Sequence, residues 1–209
     1  MKTKVNGFEA TLDPEAKVMT IDLGNGAQMQ MHYADDGVPA LSPRRCGACS
    51  LCCRLVPVPP LDKPGGQRCQ YQRHKTAGCC TVYGDDTRMP QACRMWSCRW
   101  LVDPTFPGQR PDRAHYVVDI TPEILTTVAK DTGAIRNWPA VQIWVDPLHP
   151  EAHRDPRLRE WIDRQAEQTG MVAIIRGGGR DEGLALAPPS LTKDGWQEQR
   201  ANKRLDTNP

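Results

Sequence analysis

The sequence predicts an α+β fold, in which a small cysteine-rich, metal-organised region of short helices and loops is joined to a mostly antiparallel sheet with one or two helices. Three observations predict it. All nine cysteines fall between Cys46 and Cys98. Prolines and glycines interrupt every apolar run from Ser42 to Pro111, which disfavours long elements there. The remaining C-terminal half carries short β-branched runs around one amphipathic helical stretch, the pattern of an α+β layer. At 209 residues the chain has room for one ordinary domain or two small ones. Its 39% hydrophobic and 6% aromatic content, with 17 Gly and 19 Pro, is lean in core-formers, so something besides apolar burial is expected to help hold it.

Taken in order, residues 1–40 predict an N-terminal β-hairpin. Lys17-Val18-Met19-Thr20-Ile21-Asp22-Leu23 and Ala27-Gln28-Met29-Gln30-Met31-His32-Tyr33 alternate in polarity around Gly24-Asn25-Gly26, a turn flanked by two period-two runs. Residues 41–111 form the cysteine-cluster region. Residues 112–195 predict an α+β region packed on it. Its strands are Tyr116-Val117-Val118-Asp119-Ile120, Val141-Gln142-Ile143-Trp144-Val145 and Met171-Val172-Ala173-Ile174-Ile175. Asp155 to Thr169 reads as an amphipathic helix, with Pro156 just inside its start, Leu158, Trp161, Ile162 and Ala166 on one face, and Gly170 just past its end. Gly177-Gly178-Gly179 joins Ile175 to Leu184-Ala185-Leu186 as a hairpin. These glycines lack the strand-to-helix context and the Lys-Ser/Thr of a phosphate loop. Residues 196–209 are polar enough to predict a frayed tail.

The chemistry concentrates in Cys46-Gly47-Ala48-Cys49-Ser50-Leu51-Cys52-Cys53. Two residues between cysteines let the chain fold back so that both sulfurs reach one metal. Three such thiolates completed by a distant fourth is the ligation of cubane iron-sulfur proteins, whereas zinc more often takes two separated pairs. Cys69, the adjacent Cys79 and Cys80, Cys93 and Cys98 offer the distant ligands. Adjacent cysteines tend to direct their side chains apart, so Cys52 and Cys53 can serve different metals, or one can bind while the other packs.

In this order the residues resemble the YkgJ-like CxxCxxCC cysteine-cluster family, described as zinc- or iron-chelating. The resemblance runs from Cys46, Cys49, Cys52 and Cys53 through Cys69, Cys80-Thr81-Val82-Tyr83 and Pro90-Gln91-Ala92-Cys93-Arg94 to Trp96, Cys98, Trp100 and Leu101. It implies metal ligation by Cys46, Cys49, Cys52, Cys53, Cys69, Cys80, Cys93 and Cys98, with a 4Fe-4S cluster or zinc as cofactor. Cys79 has no counterpart in the pattern. The segment from Tyr83 to Pro90 is longer than the family's, and Met89 rather than an arginine precedes the proline, so no role passes to Arg88. Some flagellin lysine N-methylases are similar in this motif and associated with an iron-sulfur cluster. No adenosylmethionine loop accompanies the motif here.

Charge is distributed unevenly. Residues 40–100 carry ten Lys/Arg and three Asp/Glu, a local +7 against −5 for the rest of the chain. Guanidiniums near a thiolate centre offset its negative charge, and the same count fits a basic nucleic-acid surface. Trp96 and Trp100, four apart and flanking Cys98, are expected as one-turn neighbours shielding the metal; base stacking is their alternative use. His74 lies among the cysteines but is expected to be solvated, and His149 and His153 form an i, i+4 pair without the glutamate placement of a zincin, expected at a helix start. His115 lies outside the cluster too.

The expected function is therefore a metal-binding protein holding an iron-sulfur cluster or zinc, with a protein partner allowed. The alternatives are a metal-dependent redox or protein-modifying enzyme and a zinc-dependent nucleic-acid-binding module. No apolar stretch approaches the roughly 18 residues of a membrane span, and the N-terminus has no apolar signal core. With clustered cysteines read as metal ligands rather than disulfides, a cytoplasmic protein without a membrane partner is expected.

Overall fold

The computed structural model describes residues 2–5, 8–15, 18–24, 27–32, 44, 46–73, 80–83, 85, 87–129, 131–177 and 183–201. It has the expected α+β class. Four strands, β1 (Lys2–Val5), β2 (Phe8–Asp13), β3 (Val18–Gly24) and β4 (Ala27–His32), pair antiparallel in chain order. β3 and β4 are the predicted hairpin, registered Met19↔Met31 and Ile21↔Met29; its turn residues Asn25 and Gly26 lie outside the described residues. β1 and β2 were not expected, although Asn6-Gly7, a strong hairpin dipeptide, stands between them in the sequence. Ala10 and Ile21 are cross-strand partners and both are buried, which gives this sheet its inner face.

The cysteine region contributes four short helices: α1 (Leu51–Leu55), α2 (Gln91–Met95), α3 (Arg99–Val102) and α4 (Pro111–Ala114). None exceeds five residues, because prolines start or stop the chain at each step. Pro90 caps α2 and Pro111 occupies the first turn of α4, where its missing N–H leaves no bond unmade.

The second sheet has the order β5 (Tyr116–Val128), β6 (Ile135–Val145), β7 (Val172–Gly177), β8 (Gly183–Ala187) and β9 (Gln197–Ala201). All neighbours are antiparallel except β6 and β7, which run parallel because α5 (Pro156–Thr169) crosses between them. Helix α5 forms as its sequence requires. The Asp155 carboxylate accepts the Arg157 N–H at 3.0 Å, Gly170 ends the helix at φ 69°, and Leu158, Trp161, Ile162 and Ala166 face inward. The His149-to-His153 stretch is a 3-10 turn, Pro150–Arg154, ahead of α5. β7 and β8 form the expected hairpin with Ile175 opposite Leu184, while Gly178 and Gly179 lie outside the described residues.

The expectation of a frayed tail over 196–209 is corrected for its first part, while residues 202–209 lie outside the described residues. Gln197–Ala201 pair with β8 as an edge strand. A strand polar on both faces suits an edge, where backbone pairing rather than apolar burial holds it. Arg159 fastens it to α5, reaching Glu198 at 2.8 Å and stacking over Trp196.

The pleat of β5 and β6 sends alternate residues to opposite faces. On one face Tyr116, Val118, Val141, Ile143 and Val145 pack with Leu158, Trp161 and Ile162 of α5 and with Phe106, whose ring meets Trp161 edge-on at 5.2 Å. On the other face Val117 and Trp144 meet Leu51, Leu55 and Leu101 from α1 and α3. The sheet thus separates the helix layer from the cysteine layer. Gly108 is required where the chain crosses this edge, since a Cβ there would overlap the Phe106 ring and stand 2.8 Å from the Tyr116 hydroxyl.

Candidate metal centre

All eight motif cysteines are described and all are free thiols; Cys79 and His74 lie outside the described residues. Local geometry brings the first three together. The Cys49 N–H donates to the Cys46 carbonyl at 2.9 Å, closing a turn in which Gly47 has φ 54°, and α1 then begins at Leu51, placing Cys52 and Cys53 on its first turn. Cys98 caps α3 and bridges Asp119 of β5. Cys49 and Cys98 are buried in one cluster with Leu51, Leu55, Leu101 and Val117, against which Cys52, Trp96, Trp100 and Trp144 pack.

The remaining thiols approach Cys53. The Cys69 N–H donates to the Cys53 carbonyl at 3.0 Å, the Gln72 N–H returns to the Cys69 carbonyl at 3.0 Å, and Gln72 bridges Cys80. The Gln72 amide also reaches the Ser50 hydroxyl at 2.8 Å, tying this loop to the start of α1. Cys93 is set by α2, its N–H donating to the Pro90 carbonyl at 2.9 Å.

Mutual electrostatics link the eight sulfurs into one continuous set. Burial pushes the Cys98 thiol up to about 12, with Cys46 and Cys49 adding to the shift. Burial likewise raises Cys46 and Cys49, and the Cys49 and Cys53 thiols add to the shift at Cys46. Burial raises Cys93, with Cys69, Cys53 and Cys80 contributing, and it raises Cys80, with Cys53 and Cys69 contributing. Cys52 and Cys53 join the two ends. The Cys52 thiol donates to the Cys53 sulfur, which holds Cys53 down at about 7 and Cys52 well up. The two adjacent sulfurs thus meet each other, while their further neighbours differ: Cys49 and Cys98 for Cys52, and Cys46, Cys69, Cys80 and Cys93 for Cys53. Cys49 and Cys98 stand toward one end of this set and Cys69, Cys80 and Cys93 toward the other, with Cys52 and Cys53 between them.

Two cations act on these sulfurs. Lys63 is 7% exposed and its ammonium donates to the carbonyls of Arg54, Val56 and Pro64. Burial lowers its pKa while Cys69, Cys53, Cys52 and Cys93 raise it. Arg110 favours the thiolates of Cys46 and Cys49 and is itself forked onto Asp112 at 2.6 and 2.8 Å. The expected guanidinium screen from residues 40–100 is largely engaged elsewhere. Arg44 donates to the carbonyls of Trp100, Asp103, Pro104 and Phe106, Arg54 pairs with Asp146, and Arg88 lies over the Tyr71 ring.

Trp96 and Trp100 are not neighbours on one helix. α2 stops before Trp96 and α3 starts after Cys98, yet both rings pack on the sulfur cluster. What orients the indoles is Asp119, 4% exposed, whose carboxylate accepts Trp96 Nε1 at 2.7 Å, Trp144 Nε1 at 3.0 Å and the Thr121 N–H at 2.8 Å. Asp119, Trp144 and Arg110 carried no motif signal, since each reaches the site only through the folded sheet and α4.

An all-thiol donor set fits a thiophilic metal or cluster. Around a tetrahedral zinc with Zn–S of about 2.3 Å, sulfurs stand roughly 3.8 Å apart. Among the described residues no three of these sulfurs lie within 4.8 Å of one another, a wider spacing than one ion requires. The chain matches no family model, no curated protein and no solved structure. Among the described residues no helix is long and apolar enough to cross a membrane.

Proposed function

We propose that this is an iron-sulfur protein holding two 4Fe-4S clusters, one on Cys46, Cys49, Cys52 and Cys98 and one on Cys53, Cys69, Cys80 and Cys93. What supports it is a set of eight free thiols, twice what one cubane needs, of which, among the described residues, no three sulfurs lie within 4.8 Å of one another, wider than one tetrahedral ion requires. A cubane places four irons between its ligands and so suits a wider set. The ordered resemblance to YkgJ-like CxxCxxCC proteins supports the same ligands, and eight free thiols suit a reducing cytoplasm.

Such clusters supply one-electron redox centres. The chain's own part is to exclude water with Trp96, Trp100 and Trp144 and to offset thiolate charge with Lys63 and Arg110, both of which tune a cluster's potential. The packing of Trp96 and Trp100 on the sulfurs uses the rings that base stacking would need, which favours this reading over a nucleic-acid module.

Anaerobic purification followed by iron, zinc and acid-labile sulfide analysis tests the proposal. Brown protein with about eight irons and eight sulfides per chain is the expected result. Colourless protein with about two zincs per chain would replace the clusters by zinc on the same ligands, and metal-free protein would remove the proposal.

A further inference from the structure

Away from the cysteines, the end of α4 and the 3-10 turn Pro150–Arg154 ahead of α5 border an open cleft of about 530 Å³, a size that takes a small molecule. Its wall carries Arg113 from α4, Arg154 from the turn, Arg157 from the first turn of α5, and the imidazoles of His115 and His149. The backbone holds these pieces side by side: the Asp146 N–H donates to the His115 carbonyl at 2.9 Å and the His149 N–H to the Asp146 carbonyl at 2.8 Å. The two imidazoles lie face to face, with centroids 3.6 Å apart and planes at 20°. Rings stacked in this way form a flat wall and do not aim their nitrogens at one point.

The carboxylates in and near this cleft are answered from within the protein. Glu151 takes Arg154 at 2.9 Å. Asp155 accepts the Arg157 N–H at 3.0 Å on Oδ1 and the Tyr116 hydroxyl at 2.9 Å on Oδ2. Asp146 is 3% exposed; its Oδ2 meets the Arg54 guanidinium and its Oδ1 accepts the Leu148 N–H at 3.1 Å, so its charge is matched away from the opening. Three arginines against Glu151 and Asp155 leave the lining one net positive charge with both imidazoles neutral. Arg113 and Arg157 are exposed, and among the described residues neither guanidinium is tied to a carboxylate.

We propose that this cleft binds the phosphate group of a small molecule through the Arg113 and Arg157 guanidiniums, with the exposed His149 ring beside them. A guanidinium forks onto phosphate or carboxylate alike, and the arrangement of the two selects between them. Arg113 and Arg157 come from separate elements, α4 and α5. A phosphate monoester presents three terminal oxygens in a tetrahedral array and so can take both forks at once, whereas a planar carboxylate fills one. Arg154, held by Glu151, adds positive field rather than a second fork. The volume left over accommodates the organic part of a phosphate ester. None of the eight motif cysteines lines the cleft, so the site does not depend on which metal they hold.

The test is isothermal titration calorimetry of the full-length protein, with its cysteine sites as purified, against inorganic phosphate, ribose 5-phosphate and acetate at low salt. The expected result is one phosphate or ribose 5-phosphate per chain, with acetate at least about tenfold weaker. Arg113→Gln/Arg157→Gln should keep the far-UV circular dichroism and the metal content while weakening both phosphate ligands by at least about tenfold. Arg164→Gln removes an exposed guanidinium further along α5, paired with Glu160, and should change the affinity by less than about twofold. Should the double variant lose its fold, Arg113→Gln and Arg157→Gln are measured singly, each expected to weaken binding by about threefold or more. Absent binding, unchanged affinity in the folded cleft variants, or an equal loss in Arg164→Gln would overturn the site. Acetate bound as tightly as phosphate would overturn the phosphate assignment.

Discussion

Asp119 is the residue whose removal most directly tests how the sheet shapes the cysteine layer. Its buried carboxylate accepts two indole N–H groups and one backbone N–H. Hydrogen bonds to a charged acceptor contribute about 1.5–3 kcal/mol each, and a donor left buried without a partner costs about 1–3 kcal/mol. The half-buried Thr121 N–H can turn to water, which leaves two indoles to count. Asp119→Ala should therefore destabilise the fold by about 3–5 kcal/mol, lowering the melting temperature by roughly 10 °C for a chain of this size. Asp119→Asn keeps one acceptor oxygen but turns an amide donor toward an indole, so about 2 kcal/mol is expected. Guanidinium unfolding followed by tryptophan fluorescence reads both, and Trp144→Phe in the Asp119→Asn background should add less than in wild type, because the amide keeps its oxygen at the position that serves Trp96 and Thr121 and the Trp144 bond is already broken. A change below about 0.5 kcal/mol in Asp119→Ala, or strict additivity in the cycle, would refute the claim that this carboxylate positions both rings.

Three other outcomes follow from the same packing. If the two proposed clusters are as assigned, Cys49→Ser and Cys93→Ser should each lose about half of the bound iron and sulfide and the double variant nearly all; complete loss in either single variant argues for one shared site. Leu158, 0% exposed between α5 and the sheet, should cost about 2–5 kcal/mol on truncation to alanine, measured by chemical denaturation, with metal content unchanged because it lies on the helix side of the sheet. Gly108→Ala should destabilise by about 1–3 kcal/mol in a thermal melt, since the added Cβ meets the buried Phe106 ring and the Tyr116 hydroxyl.

Helix α5 could be placed from the sequence because each of its determinants is local: the Asp155 cap, Pro156 in the first turn, four apolar residues on one face and Gly170 at φ 69°. The β3–β4 and β7–β8 hairpins were legible for the same reason, as alternation on either side of glycine turns. The edge strand Gln197–Ala201 was not, because it is held by the backbone of β8 and by Arg159, 38 and more residues upstream. Trp96 and Trp100 have helical spacing yet do not share a helix, because the chain is extended at Trp96, past the end of α2, and Cys98 takes the cap position of α3, which carries Trp100.

The sequence by itself determined the α+β class, the eight motif thiols and the turns and caps that present them, since spacing along a chain dictates which sulfurs can reach one another over a few residues. The tertiary structure decided which distant thiols approach the motif, because Cys98 is buried beside Cys49 against the sheet and Cys69, Cys80 and Cys93 are carried toward Cys53 by loops whose closure no local pattern encodes. It also decided that Asp119 and Trp144 stand behind the sulfurs, and that His115 meets Asp146 and His149 beside Arg54. These meetings depend on strand register and on which face of β5 and β6 is covered, and both are set by burial of distant apolar residues.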